Sequence, residues 1–560
     1  MKPDQVENHF SMWITRSNPL HQKTNRLLLW CAAAALGLTM IACNLLTPSA
    51  PNIPASPTIA AQTSPTAAAT PTTASTPQPT PHVEERLLPP APGDPTQALL
   101  PTARQDVDRL LHPPRYLLVL QIDPSLLSFS GQARIIYTNR EDTTLNEIYL
   151  RLLPNGQKSY GDGSLTVSQV LVDGASAATE LSSSDTVLKV SLPASLAPGG
   201  QTELTMAFQG NIPLDFGGGA TPAGYGIYNF SQGVLALSGW YPILAVYDVQ
   251  GWNLDPVSEI GDSVYSDTAF YTVRVCGAQD LVVVATGIQT ERQRQDELAC
   301  TDFESGPTRD FFIAASRVFT ALSREIDGVT IHSYYLPGHE TAAQLALNVS
   351  ADSLKVYNQK FGPYPFTELD VVDAPMRNAL GVEYPGVILV ASSLYEDPER
   401  TDFTLATAHE VAHQWWYSVV GNDVFDEPWL DEGLTTYSSS LYFEFAQSPA
   451  AAQGLLDFWQ QRYERQRQEI GDEQVTASLG YFESLDNPRF YSGVVYIKAA
   501  LFFDALRHKI GDQAFFAALQ AYYQGRKYEI ATAQDLLNAF ETASRTPLDD
   551  FYQQWLYSAK

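Results

Sequence analysis

Short runs of β-branched and aromatic residues dominate the chain between about residue 95 and residue 323. Clusters of Gly, Pro, Asn and Asp separate them, a pattern typical of strands joined by turns. The clearest runs lie at residues 116–120, 133–137, 148–152, 187–190 and 271–275. This pattern predicts an antiparallel β domain over residues 96–323, with a further domain over residues 324–560.

A helix is predicted from Asp402, as its N-cap, to Gly421, which would stop it. This segment contains the HExxH pattern formed by His409, Glu410 and His413. Helix positions four residues apart project from one face, so both imidazoles can reach one zinc ion while Glu410 lies beside them. The alternative, two histidines packed in the core, is disfavoured because unpaired polar groups are costly on an apolar helix face.

Glu432 is a third possible metal ligand, separated from His413 by 18 residues. It lies in the sequence PWLDEG, near the start of a second predicted helix with Asp426 as its N-cap. A tight connection followed by an antiparallel helix would bring Glu432 back over the two histidines. Three protein ligands would leave a fourth position for water, as a catalytic zinc site requires.

These motifs together resemble the gluzincin signature of the aminopeptidase N family, to which leukotriene A4 hydrolase is related. The resemblance includes FGPYPF at residues 361–366, which is similar to the segment that opens the family's catalytic domain. LGVEYP at residues 380–385 stands where the family has GAMEN, and of that motif only Glu383 is kept in place. YIKAA at residues 496–500 resembles the helix that carries the family's catalytic tyrosine.

The resemblance implies an α+β, multidomain fold. A saddle-like N-terminal β sandwich would be followed by a thermolysin-like, mainly helical catalytic domain. The likeness extends over residues 95–560, and we expect a short form without the large C-terminal helical domain of longer relatives.

The resemblance also implies zinc-dependent hydrolysis of peptides, with one zinc ion per chain. His409, His413 and Glu432 would be the ligands. Glu410 would be the general base, and Tyr496 would donate a hydrogen bond to the transition state.

Glu383 would bind the free α-ammonium of the substrate, so the expected activity is removal of N-terminal residues. The family usually adds a second polar side chain from the β domain, but the corresponding residues 238–242 offer no acid or amide. An endopeptidase therefore stays open as an alternative. A hydrolase of non-peptide substrates such as epoxides would share the same zinc site, and an inert exported protein that binds peptides would share the same fold.

The N-terminal segment resembles a bacterial lipoprotein signal. Lys23 and Arg26 precede an uncharged apolar run at residues 27–42, and Cys43 follows it. We expect residues 1–42 to be a signal peptide and Cys43 to be lipidated, with an uncleaved signal anchor as the alternative. Residues 43–95, rich in Pro, Thr and Ala, would form a disordered tether. Both interpretations place the protein outside the cytoplasm, anchored to the membrane.

Charge and cysteine content add two expectations. The chain has 62 acidic against 34 basic residues, a net charge of -28, which repels phosphate backbones and argues against a nucleic-acid partner. Cys276 and Cys300 would share an oxidising compartment near the ends of neighbouring strands, so a disulfide between them is possible. The sequence leaves the oligomeric state open.

Overall fold

The computed structural model describes residues 88–218, 224–262, 264–295, 297–485 and 487–559. The predicted signal peptide, Cys43 and nearly all of the predicted tether lie outside these residues. Within them, no helix is both long and apolar enough to cross a membrane.

The first part of the described chain is built from strands. In chain order these are β1 (Arg115–Ile122), β2 (Ser128–Thr138), β3 (Leu145–Arg151), β4 (Ser164–Val172), β5 (Ala175–Ser176), β6 (Thr179–Ser182), β7 (Val187–Leu196), β8 (Gln201–Asn211), β9 (Tyr228–Ser231), β10 (Val234–Leu237), β11 (Ile243–Leu244), β12 (Tyr247–Asp248), β13 (Gly251–Trp252), β14 (Phe270–Ala278), β15 (Val282–Ala285), β16 (Ile288–Gln295), β17 (Leu298–Glu304) and β18 (Ile313–Ser316). Three short 3-10 helices, Pro95–Ala98, Arg104–Arg109 and Leu153–Asn155, and the one-turn helix α1 (Gln157–Tyr160) accompany them.

These strands form one eight-stranded sheet, two four-stranded sheets and a two-stranded ribbon. The orders are β16-β17-β14-β1-β2-β8-β4-β5, β15-β18-β10-β9, β11-β3-β7-β6 and β12-β13. Most pairs in the large sheet are antiparallel, as predicted, but β1 and β14 run parallel. All five runs picked out from the sequence fall on strands, since β-branched and aromatic side chains pack well on a pleated surface.

Aromatic side chains fill part of the core of this β region. The rings of Tyr116 and Tyr271 stack with centroids 4.7 Å apart, and the Nε1 of Trp240 donates to the carbonyl of Phe311 over 2.9 Å. Trp240 and Tyr241 are fully buried. The segment at residues 238–242 therefore belongs to the core, where its large side chains stabilise the fold.

Cys276 and Cys300 lie opposite each other on β14 and β17, and their sulfur atoms are bonded. The pairing joins two adjacent strands of the large sheet, so it links segments that the backbone ladder already holds together.

The second part begins with the strands β19 (Thr320–Ile326), β20 (Val329–Tyr335), β21 (Glu368–Ala374), β22 (Gly381–Tyr384) and β23 (Val387–Ala391). They form a sheet in the order β19-β20-β21-β23-β22. The predicted domain boundary between residues 323 and 324 falls within β19. β19 pairs with β20 in this second sheet.

Helices make up most of the remainder. They are α2 (Glu340–Lys360), α3 (Ser392–Tyr395), α4 (Thr401–Ala412), α5 (Trp429–Tyr442), α6 (Pro449–Ile470), α7 (Leu479–Ser484), α8 (Arg489–Tyr491), α9 (Ala499–Ile510), α10 (Asp512–Arg526), α11 (Ala533–Ser544) and α12 (Asp549–Trp555). Two π-helical segments, Phe443–Gln447 and Ser492–Lys498, continue α5 and precede α9. The fold is thus α+β, a β-sandwich region followed by a helical domain.

The two helices predicted around the HExxH pattern have different ends from those expected. Helix α4 starts at Thr401 and ends at Ala412, well before Gly421. Five residues beyond its end, Tyr417 takes a left-handed backbone conformation (φ 102°), and its N–H donates to the carbonyl of Val420. Helix α5 starts at Trp429 with Pro428 as N-cap, so the prediction of Asp426 as N-cap was wrong.

Candidate active site

The side chains of His409, His413 and Glu432 converge where α4 packs against α5. The His409 Nε2 lies 3.1 Å from the His413 Nε2, and the Glu432 Oε2 lies 3.3 and 3.4 Å from these two nitrogens. A tetrahedral zinc ion with ligand bonds of about 2.0–2.1 Å separates its ligand atoms by roughly 3.3–3.4 Å. The three atoms already have the spacing that one zinc ion needs.

The early end of α4 helps to orient His413. Its Nδ1 lies 3.1 Å from the carbonyl oxygen of Trp416 and 3.2 Å from the Thr435 hydroxyl. A proton on Nδ1 bonded to that carbonyl leaves Nε2 as the free lone pair, which is the usual second contact of a metal-binding histidine. The turn that shortened the helix therefore selects the tautomer that can bind metal.

Glu410 is directed at the same place but is not part of this trio. It is 1% exposed, and its Oε2 has no hydrogen-bond partner among the described residues. Burial raises the pKa of Glu410 well above its usual range. A buried carboxylate with a free oxygen beside a metal site is able to accept a proton from a bound reactant.

Glu383 lies on β22 and is also buried, at 6% exposure. Its Oε1 is 3.4 Å from the Nδ1 of His413. Asp262 lines the same cavity, and its carboxyl group interacts with that of Glu383. Burial, and then the charges of Asp262, Glu410 and Glu432, raise the pKa of Glu383 well above its usual range.

Asp262 is the site residue that sequence reasoning missed. It comes from the long connection between β13 and β14, well beyond the residues 238–242 in which a partner for Glu383 was sought. An acid directly after a glycine, in the sequence EIGD at residues 259–262, was the available signal. Nothing in the local pattern shows that this loop returns to the catalytic helix.

Three contacts fix the loop that carries Asp262. The Ser258 hydroxyl donates to the Oε1 of Glu483 over 2.6 Å. On the other side of Asp262, the Tyr417 hydroxyl donates to the carbonyl of Val264 over 3.0 Å. Tyr417 lies just beyond α4, so the end of the catalytic helix helps to position the acid from the β region.

Arg309 provides the third contact and joins three separate segments. Its guanidinium donates to the backbone carbonyls of Ser266, Tyr417 and Glu529. The side chain is only 1% exposed. Gly421 leaves room for it, since a β-carbon there would lie 2.1 Å from the Arg309 Cζ.

Tyr496 lies on the π-helical segment Ser492–Lys498, a geometry often found at functional sites. Its hydroxyl donates to the Oε1 of Glu432 over 2.5 Å. The Oε2 of Glu432 is the oxygen that faces the imidazoles, so the tyrosine and the histidines contact different oxygens of one carboxylate. This places the Tyr496 hydroxyl at the edge of the metal site.

Two adjoining cavities meet at the metal site, and their chemistry differs. One is lined by polar groups that include Asp262, Asn378 and Glu383. The other is mainly apolar, with Leu405, Trp459 and Arg462 in its wall. Both reach His409 and Tyr496. An extended peptide could cross the metal site with one end in each cavity.

Four acidic residues line the polar cavity, and all are buried or half-buried: Asp262, Glu383, Glu410 and Glu432. Burial alone would raise the pKa of Glu432, but the two imidazoles lower this pKa to about 2. Burial raises the pKa of Asp431 to about 8. A divalent cation and a substrate ammonium would each relieve the repulsion among these carboxylates.

Comparison with known proteins finds similar peptidases. Residues 345–555 match the sequence profile of the peptidase family M1 domain. Aminopeptidase M1 of Arabidopsis thaliana is 23% identical over 294 residues, covering 49% of this chain and 32% of that protein. Aminopeptidase N of Lactococcus lactis is 25% identical over 229 residues, covering 39% and 26%. The chain therefore spans about a third or less of the length of these curated relatives.

A solved structure gives longer coverage. The M1 zinc metallopeptidase from Deinococcus radiodurans superposes with a TM-score of 0.62 at 22% identity, covering 80% of this chain and 94% of that one. At this level of identity the likeness supports the order of the fold, a β sandwich followed by a helical domain.

The fold and the ligand cluster together define the class of a gluzincin zinc metallopeptidase. Residues 345–555 match the peptidase family M1 domain, and the chain is similar to aminopeptidases of that family. The family implies a single catalytic zinc ion, and His409, His413 and Glu432 are the residues that fit it.

Proposed function

We propose that this protein is a zinc aminopeptidase that removes single residues from the free N-terminus of peptides. The observation that carries the proposal is that Asp262 and Glu383 line one cavity together with the ligand cluster. Two carboxyl groups so close together repel each other unless one is protonated or a cation lies between them, and a peptide α-ammonium is such a cation. A charge-assisted hydrogen bond from an ammonium contributes about 1.5–3 kcal/mol.

The position of this acid pair would set where the chain is cut. With the ammonium held between Asp262 and Glu383, the first peptide bond lies toward His409 and Glu410. The following residue would enter the apolar cavity, where Leu405 and Trp459 favour an uncharged side chain. In support, a neighbour from Deinococcus radiodurans was solved with the tripeptide Tyr-Ser-Ala as its substrate.

The residues of this chain would then divide the reaction between them. Zinc, when bound, lowers the pKa of water toward about 7 and polarises a carbonyl group. Glu410 would take the proton of the attacking water and pass it to the leaving amine. Tyr496 would donate a hydrogen bond to the developing oxyanion, which is worth about 2.7–4 kcal/mol for a single donor at such a site.

A comparison of free and N-acetylated peptides tests the proposal. The wild type should prefer the free amine by at least about tenfold in kcat/KM. Glu383→Ala and Asp262→Asn should each remove most of this preference and leave the zinc content unchanged. Asp327→Asn is the control, because Asp327 is exposed. Asp373→Asn would not serve as a control, because the Asp373 carboxylate is hydrogen-bonded to His339 and Ser392. Equal cleavage of blocked and free peptides by the wild type would contradict the proposal.

We also propose that the protein is exported and held at the membrane by a lipid on Cys43. This rests on the sequence of the first 43 residues alone. Cys43→Ser should leave the precursor uncleaved and free of lipid, as judged by mass spectrometry of the mature N-terminus. A wild-type protein with an unprocessed N-terminus would instead indicate a signal anchor.

A further inference from the structure

A second group of metal-binding side chains lies away from the catalytic centre. His332 on β20 and Glu368 and Asp370 on β21 have ligand atoms within 4.8 Å of one another. The two strands run parallel and pair His332 directly with Asp370, so all three side chains project from the same face of the second sheet. That arrangement is fixed by the backbone register and does not depend on mobile loops.

His332 is oriented as a metal-binding histidine would be. Its Nδ1 lies 2.6 Å from the Ser323 hydroxyl, which is its cross-strand neighbour on β19. Its Nε2 faces the Oε2 of Glu368 over 3.6 Å. A histidine whose one ring nitrogen is held by a neighbouring group presents the other to a metal in a fixed direction.

Asp370 supplies an independent observation. It is only 2% exposed, yet its Oδ1 has no hydrogen-bond partner among the described residues. A buried carboxylate oxygen without a donor is costly, so such groups normally pair with a cation or a proton donor. Burial, with the nearby charge of Glu368, raises the pKa of Asp370 well above its usual range.

We propose that His332, Glu368 and Asp370 bind a second divalent metal ion of the zinc type, with a structural role. One imidazole and two carboxylates suit Zn²⁺, whereas Ca²⁺ would require six to eight oxygen ligands. The present spacing is slightly wide for bonds of about 2.0–2.2 Å. Glu368 is half-buried and can move inward to close it. The ion would fasten the edge hairpin of β19 and β20 to β21.

Equilibrium dialysis of the full chain against excess Zn²⁺ tests this inference directly. The wild type should bind two ions per chain. His332→Ala and Glu368→Gln should each bind one, or bind the second at least about tenfold more weakly, with peptidase activity unchanged. His508→Ala is the matched control, because His508 also lies near a carboxylate, 3.4 Å from Asp504, but on an exposed surface.

The His413→Ala chain separates the two sites, because it should lose the catalytic ion and keep the second. Its thermal midpoint should rise with added Zn²⁺, whereas that of the double variant His413→Ala/His332→Ala should not. A wild type that binds only one ion, or His332→Ala with undiminished binding, would overturn the inference. A proton shared between Glu368 and Asp370 would then account for the buried oxygen.

Discussion

The backbone of Gly381 lies against the carboxyl group of Glu410, so closely that a β-carbon at Gly381 would be 2.3 Å from the Oε1. Gly381 opens β22, the strand that also carries Glu383. The absence of a side chain at one strand position therefore makes space for the proposed general base, two residues before the proposed amine-binding acid.

Gly381→Ala should consequently displace Glu410. Real β-carbons do not approach another atom this closely, so the carboxyl must move by about 1 Å or more, and such a misplacement can cost on the order of a hundredfold in rate. We expect kcat to fall by this order, with zinc content and folding unchanged. Gly454→Ala is the control, since nothing lies within 4 Å of that position on the exposed face of α6. An active Gly381→Ala enzyme would show that Glu410 does not need its present position.

Glu410→Gln and His413→Ala should fail in different ways. Glutamine keeps the shape of Glu410 but cannot accept the proton, so we expect zinc to be retained and turnover to fall by about 10²–10⁴-fold. Alanine at His413 removes a ligand, so the catalytic zinc and the activity should be lost together. Metal analysis beside a peptidase assay distinguishes the two. A Glu410→Gln enzyme with normal turnover would mean that another group takes the proton.

Tyr417→Phe should loosen the loop that carries Asp262. The carbonyl of Val264 would lose its donor, and an unpaired buried polar group costs about 1–3 kcal/mol of stability. We expect lower stability in urea and a smaller preference for free-amine peptides, seen mainly as a raised KM, with zinc retained.

Tyr552→Phe provides the comparison for that variant. The Tyr552 hydroxyl donates to the carbonyl of Leu537 in the same manner, away from the Asp262 loop. The Tyr552→Phe variant should lose stability but keep the preference for free-amine peptides. If both variants change the preference alike, the Tyr417 hydroxyl has no specific part in positioning Asp262.

Glu304→Gln should change the pH dependence of stability. Glu304 is 3% exposed, and its Oε1 has no hydrogen-bond partner within the part of the chain that the structure describes. Burial raises its pKa from an ordinary 4.5 to about 7. Between pH 4.5 and pH 7, Glu304 is ionised in the unfolded chain but still protonated in the folded protein. The folded state therefore binds more protons than the unfolded state, and the wild type should lose stability as the pH rises through this range. The glutamine variant should lack this loss, an effect on the order of 1–2 kcal/mol after allowance for solvent screening. Thermal midpoints measured at pH 4 and pH 8 test it, and a pH-independent difference would contradict the assignment.

The metal-site residues that could be predicted from the sequence lie close to one another along the chain. His409 and His413 are one helical turn apart, and Glu432 follows after one connection, residues 413–428, between two adjacent helices. The strands were also predictable, because each carries its own pattern of β-branched and aromatic residues. In both cases the information lies within a few neighbouring residues.

Asp262 and the end of α4 could not be predicted in this way. The helix ends at Ala412, and no glycine or proline marks that position. Asp262 reaches Glu383 only because Ser258, Tyr417 and Arg309 fix a long loop through contacts with distant parts of the chain. Such long-range packing overrides local propensity and leaves no pattern in a single sequence.

The three carbonyl contacts of Arg309 also bear on how substrates enter and leave. A buried cation shared by the β region, the end of the catalytic helix and the segment before α11 opposes rotation of one region against the other. The distance from the amine-binding acids to the scissile bond would then stay constant through the catalytic cycle. We expect no hinge closure during turnover, and hence a kcat that is insensitive to solvent viscosity.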